Sequence, residues 1–327
     1  MNQHRRTEAL PPKDRFKNGV KSALNVHHPD GSPNVFLFSM PRSGSTWAME
    51  LIGDQPGFKT CSEPLNLRLP LVRSHLGMAD WRLLHHDDAE HRITSYFRRF
   101  CDGTLHFLDP LPLRGHPYRF RSTRIVFKVL HGAEERINVL RDACNGRVAY
   151  LLRHPIAVSL SHEVLPRLDA YVDSTFARNF RTEQISFARR VIADGTELER
   201  GVLAWCFENA IPLRSRTPDW TVFTYEQLVL DPLPVVAELA RALELGDPGR
   251  MQERLTIASA VKSKSDARTR RLLDSDDRDV RASLADKWRG QVSEAAARSA
   301  MDILPRFGIT AYGPDGHLPA ADLWIRS

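Results

Sequence analysis

Val35-Phe36-Leu37-Phe38-Ser39-Met40-Pro41-Arg42-Ser43-Gly44-Ser45-Thr46-Trp47 decides how this chain folds. A short apolar, β-favouring run from Val35 to Phe38 passes into a small, hydroxyl-rich turn. Ala48-Met49-Glu50-Leu51-Ile52 then spaces its apolar residues as one buried face of a helix requires. The pattern predicts strand, phosphate loop, helix. Gly44 lets the backbone turn closely, and Ser43, Ser45 and Thr46 set hydroxyls beside the unbonded N–H groups of the helix start. Arg42 adds a fixed positive charge, so the turn is suited to an anion.

The Walker A loop, G-x-x-x-x-G-K-[ST], does not fit this stretch. No lysine follows Gly44, no glycine stands five positions before it, and the basic residue precedes the glycine. Pro41-Arg42-Ser43-Gly44-Ser45-Thr46-Trp47 instead resembles the 5′-phosphosulfate loop of the sulfotransferases, which use 3′-phosphoadenosine 5′-phosphosulfate (PAPS). The resemblance implies that Arg42, Ser43, Gly44, Ser45 and Thr46 hold the 5′-phosphosulfate. Trp47 then lies beside the adenine or in the core.

Working outward, Gly57 to Pro64 predicts a second strand that ends at Glu63, with Pro64 biasing Glu63 toward an extended backbone. Strand ends are where open parallel sheets keep their ligands. Glu63-Pro64 resembles the Glu-Pro element of the carbohydrate, tyrosylprotein and bacterial glycolipid sulfotransferases, whose glutamate is the general base. A solvent-exposed glutamate is the competing reading.

Arg124 to Val129 predicts a central strand bearing Lys128 near its end. Cytosolic sulfotransferases carry Lys-Thr-His in the corresponding place, with the histidine as base, whereas this chain has Lys128-Val129-Leu130-His131. Strand alternation turns His131 away from the face of Lys128, which favours a cap or surface role for His131. The resemblance implies that Lys128 reaches the bridging oxygen of the donor. A helix over 133–143 leads to the strand Arg147 to Leu152, then Arg153-His154-Pro155 and a helix containing Ser159 and Ser161. Arg153 and Ser161 resemble the 3′-phosphate-binding element of the same family, a guanidinium fork plus a hydroxyl donor.

The rest of the chain is read more coarsely. Residues 65 to 123 interleave arginines, histidines and aromatics around a helix over 88–100, which suits an acceptor pocket, a nucleic-acid surface or a solvated face. Residues 166–183 suit a lid before a long helix over 183–214. Trp220 to Thr224 predicts another strand, and Tyr225 to Pro232 resembles a structural stretch late in these enzymes with no assigned chemistry. Helices follow over 232–245, 250–259 and 291–304, with a mobile polar loop from Lys262 to Arg281. The Arg-Lys-Gly loop of typical family members is missing, and Trp288-Arg289-Gly290 matches only its tryptophan. No internal repeat is present.

The chain has 327 residues, 42% hydrophobic and 26% charged, with formal net charge +6, a globular composition that suits an anionic ligand. Cys61, Cys101, Cys144 and Cys206 stand far apart without a C-x-x-C pair, which indicates neither a zinc site nor a disulfide framework. Residues 1–33 read as a flexible arm without a signal or anchor segment, so a cytoplasmic protein is expected.

The expectation is an α/β fold, a three-layer parallel sheet flanked by helices of the P-loop-like sulfotransferase type. The domain spans 34–312 and a C-terminal tail 313–327. The activity implied is metal-free transfer of a sulfuryl group from PAPS to an acceptor hydroxyl, releasing adenosine 3′,5′-bisphosphate. The acceptor is a small molecule, a glycan or a lipid-linked group. A peripheral membrane contact and the oligomeric state stay open, and no nucleic-acid partner is expected. The alternatives are a P-loop kinase using ATP and magnesium, and a non-catalytic basic module that binds nucleic acid.

Overall fold

The computed structural model describes residues 16, 20, 26–105, 120–161, 167–255, 278–314 and 316–326. Two short strands, β1 (Val26–His27) and β4 (Arg121–Ser122), pair in parallel. The main sheet holds β2 (Asn34–Ser39), β3 (Phe58–Ser62), β5 (Arg124–Val129), β6 (Gly146–Leu152) and β7 (Thr221–Thr224). Their order is β3-β5-β2-β6-β7, and every neighbouring pair is parallel. The expected three-layer α/β fold is therefore present, with helices on both faces of one parallel sheet.

Alternation along each strand divides the core in two. Phe36, Phe38, Phe127, Val129, Val148 and Tyr150 pack on one face against the helices Ala89–Cys101, Ile137–Ala143 and Glu197–Ser215. Val35, Leu37, Val126, Ala149, Leu151 and Phe223 pack on the other against Ser45–Gly53 and Pro232–Ala242. Strands buried on both faces read as near-continuous apolar runs, which is why β2, β5 and β6 were so legible. β2 lies in the middle with β5 and β6 on its flanks. Its chain leaves toward β3 on one side, and the later strands β6 and β7 fill the other. The crevice at the carboxyl end of β2 is thus the switch point where open sheets bind ligands.

Several boundaries differ from the expectation. The long helix over 183–214 is two helices, Thr182–Asp194 and Glu197–Ser215, separated at Gly195 and Thr196. Thr196 accepts the N–H of Glu199 while the Glu199 carboxylate takes the N–H of Thr196, a capping box that starts a new helix there. The helix over 291–304 is likewise divided into Glu294–Met301 and Ile303–Arg306. The helix over 133–143 starts only at Ile137. The readings of residues 1–15, 17–19 and 21–25, of 106–119 within the arginine- and histidine-rich stretch, of 256–259 and of the 262–277 part of the polar loop lie outside the described residues. In β1 the ring of His27 is buried between Ser122 Oγ at 3.0 Å and the Cys101 carbonyl at 3.2 Å.

Among the described residues, no helix is long and apolar enough to cross a membrane. The four cysteines are free. At the chain's other end, Gln227 and Ile325 exchange two hydrogen bonds. Gln227 Nε2 donates to the Ile325 carbonyl at 2.6 Å and the Ile325 N–H to Gln227 Oε1 at 2.9 Å.

Candidate active site

After β2 the chain folds over itself through two left-handed residues, Arg42 (φ 71°) and Gly44 (φ 88°). The first intrahelical hydrogen bond of Ser45–Gly53 runs from Ala48 N–H to Gly44 O at 3.1 Å. The N–H groups of Ser45, Thr46 and Trp47 therefore have no intrahelical partner, and no side chain caps the helix. The hydroxyl of Ser43 is buried without a partner. A buried unsatisfied donor set is costly unless a ligand completes it, and the helix dipole favours that ligand being an anion. Gly44 is required for a second reason. A Cβ there would stand 2.6 Å from Tyr225 Cδ2.

Lys128 lies on the same side of the sheet as this helix and is only 4% exposed. Its Nζ donates to Thr46 Oγ1 at 3.1 Å and to Glu63 Oε1 at 3.0 Å. Glu63 Oε2 accepts from Asn66 Nδ2 at 3.0 Å. The extended backbone expected for Glu63 is not what forms. Its φ is 57°, because its N–H bonds the Lys128 carbonyl at 2.9 Å while its own carbonyl accepts the Asn66 N–H at 3.0 Å. These two bonds pull the chain sharply back at the end of β3, against the local preference that Pro64 imposes. The turn brings Glu63, Lys128 and Thr46 into one group.

Arg153 enters from the end of β6. It donates to the Arg42 carbonyl at 2.8 Å, and its guanidinium lies 4.1 Å from the centre of the Tyr225 ring, while its Nε is buried without a partner. Trp47 sits in the core, 7% exposed, with its ring edge-on to Tyr225 at 6.4 Å. Tyr225, given no chemistry by the sequence reading, is thus the surface on which Gly44, Trp47 and Arg153 meet. The available signal was its position, the first residue after β7. The hydroxyl of Ser161 is turned back onto its own helix and donates to Ala157 O and Val158 O at 3.1 and 3.0 Å.

The end of β6 is held from behind. Glu226, fully buried, accepts the His154 N–H and the Tyr312 hydroxyl, each at 2.9 Å, and burial raises its pKa. His154 stacks on Trp288 at 4.4 Å, its Nε2 meets Gly316 O at 3.1 Å, and burial holds its pKa at about 3. Trp205 Nε1 donates to the Arg153 carbonyl at 3.0 Å. Trp288, matched in sequence only as an isolated tryptophan, therefore stands one residue from Arg153.

His131 is not part of the Lys128 group. Its ring packs edge-on to Trp81 at 4.5 Å on the opposite side of the sheet. Among the described residues, no group of three or more His, Cys, Asp or Glu side chains is arranged to hold a metal.

No protein-family model matches the sequence, and no curated protein matches it significantly. Solved structures of similar shape exist. The sulfotransferase domain of the Synechococcus PCC 7002 olefin synthase is 17% identical, with 88% of this chain and 97% of that one covered and a TM-score of 0.48. The sulfotransferase domain of the curacin biosynthetic pathway is 18% identical over 85% and 98%, TM-score 0.43. Mouse sulfotransferase SULT7A1, solved with PAP, is 14% identical over 89% and 88%, TM-score 0.41.

Proposed function

We propose that this protein is a sulfotransferase that moves a sulfuryl group from PAPS to an acceptor hydroxyl and releases adenosine 3′,5′-bisphosphate. One observation carries the reading. At an uncapped helix start, Lys128 touches the loop at Thr46 and holds the carboxylate of Glu63. The residues present suit the donor. The N–H groups of Ser45 and Thr46, with Ser43 and Arg42, are matched to a phosphosulfate, and Arg153 on Tyr225 is matched to a second phosphate. The unpartnered Ser43 hydroxyl and Arg153 Nε are the atoms such a ligand would complete.

PAPS supplies an activated sulfur whose leaving group is a phosphate. Lys128 and the helix start stabilise the negative charge that collects on that phosphate. Glu63 accepts the proton of the attacking hydroxyl, and Asn66 orients its carboxylate. The kinase alternative would need a loop lysine and a magnesium site, and here the lysine comes from a neighbouring strand instead. Titration with adenosine 3′,5′-bisphosphate, ATP and an oligonucleotide tests the reading. Tight binding of the bisphosphate alone is expected, and preference for ATP with magnesium would overturn it.

A further inference from the structure

A cavity of about 610 Å³ opens where the C-terminal end of the helix Glu197–Ser215 meets residues 178–181 and 305–311. That is room for a small organic molecule. Four exposed arginines line it, Arg178, Arg181, Arg214 and Arg216, against one carboxylate, Asp322. The exposed pairs Arg178–Asp87 at 3.3 Å and Arg216–Asp322 at 3.7 Å engage two of the guanidiniums only weakly. Arg214 donates to the Asn179 carbonyl at 3.2 Å, and neither Arg214 nor Arg181 has a carboxylate partner among the described residues. Between the arginines the wall is apolar. Leu213, Phe307 and Ile309 form it, and Phe307 is fixed edge-on to Phe180 and Phe207, with ring centres 5.8 and 5.3 Å away.

A second cavity of about 360 Å³ continues past Arg216, Asp322 and Leu323, which border both, and runs beside the edge strand β7 along Trp220, Val222 and the half-buried Trp324. The two make a groove that is cationic at one end and aromatic at the other. No residue of the loop 42–47, nor Glu63, Lys128 or Arg153, lines either cavity. Arg214 stands about 14 Å along the helix axis from Trp205, the residue that holds the Arg153 carbonyl. Four guanidiniums around one carboxylate repel one another, and an oxyanion among them replaces that repulsion with charge-assisted, fork-like hydrogen bonds. The apolar wall beside them rewards a hydrocarbon body that a bare inorganic ion lacks.

We propose that this groove binds an amphiphilic organic anion. Arg181 and Arg214 take its carboxylate or sulfate head, and its apolar body lies along Leu213 and Phe307 toward Trp324. The site is separate from the one described above and goes beyond the sulfotransferase reading. Two sources share this chemistry: carboxylates of other origin, and the sulfate esters that such a reaction would itself release.

Calorimetry on the full chain with octyl sulfate, octanoate, octanol and inorganic sulfate tests it, with the organic anions below micelle-forming concentration. At least one organic anion should bind about tenfold to a hundredfold more tightly than octanol, and more tightly than inorganic sulfate. Arg181→Gln combined with Arg214→Gln should bring the ratio to octanol close to one without lowering the melting temperature. Asp322→Asn, which removes the one carboxylate of the lining, should tighten anion binding several-fold. Saturating adenosine 3′,5′-bisphosphate should leave octyl sulfate binding unchanged. Preference for octyl sulfate over octanoate assigns the groove to sulfate esters, and the reverse assigns it to carboxylates. Octanol or inorganic sulfate binding as tightly as both organic anions, a ratio unchanged in the folded double variant, or displacement by the nucleotide would overturn the proposal. Should the double variant not fold, Asp322→Asn decides, and unchanged anion affinity there overturns the groove.

Discussion

Two polar clusters lie within a few residues of each other at the end of β2, and their hydrogen-bonding characters are opposite. The helix side offers donors: the first N–H groups of Ser45–Gly53, the Ser43 hydroxyl, Lys128 and Arg153. The far side offers acceptors, the carboxylates of Glu134 and Glu208. Glu63 is the exception on the donor side, and Lys128 neutralises it at 3.0 Å. The contrast teaches how one sheet end keeps groups of opposite hydrogen-bonding character apart: alternation along the strands sends Lys128 to the helix side, and the sheet itself separates it from the carboxylates on the other.

The sharpest way to break this picture is to ask which side takes the proton. Glu63→Gln should lose about a hundredfold to ten-thousandfold in turnover while still binding adenosine 3′,5′-bisphosphate, and His131→Ala should lose far less. The reverse pattern in steady-state assays with labelled PAPS would move the base to the His131 side. Next in size, Arg153→Ala should weaken PAPS binding about tenfold to a hundredfold, with much less effect on adenosine 5′-phosphosulfate, which lacks the 3′-phosphate. Equal losses for the two ligands would make Arg153 a brace for the Arg42 carbonyl and the Tyr225 ring.

Gly44→Ala tests the backbone of the donor side alone. A left-handed φ and a Cβ 2.6 Å from Tyr225 together cost about 1–3 kcal/mol, so nucleotide affinity should fall by roughly tenfold. Binding at wild-type strength would mean that the loop does not need its observed shape. The smallest expected effect is none. Because Lys128 and the arginines supply the positive charge, turnover should be unchanged in excess chelator, and a magnesium requirement would transfer the site to a kinase reading.

What the sequence revealed depended on range. β2, β5 and β6 were visible because strands buried on both faces keep unbroken apolar runs, and the turn after β2 because its glycine and hydroxyls are consecutive. Alternation separated Lys128 from His131, and the resemblance put Lys128 on the loop side, where it meets Thr46. The turn at Glu63 was misread, since the preference that Pro64 imposes is local and the Lys128 and Asn66 bonds that override it come from the fold. The break at Gly195 and Thr196 was legible in principle, from Thr196 and Glu199 at capping-box spacing. Tyr225 offered only its position after β7, and the burial of Glu134 and Glu208 was not legible, because a glutamate in a turn or on a helix looks the same in sequence whether it is exposed or buried.

The pairing of Tyr312 with Glu226, and of Ile325 with Gln227, has a practical consequence for anyone shortening the chain. Trimming residues 312–326 as dispensable would strip a hydroxyl from a fully buried carboxylate that sits directly behind Arg153. The damage would surface far from the cut, as a protein that still folds its sheet yet leaves the end of β6 and Arg153 loosely held. Affinity tags are better attached through a spacer after Arg326, leaving that latch shut.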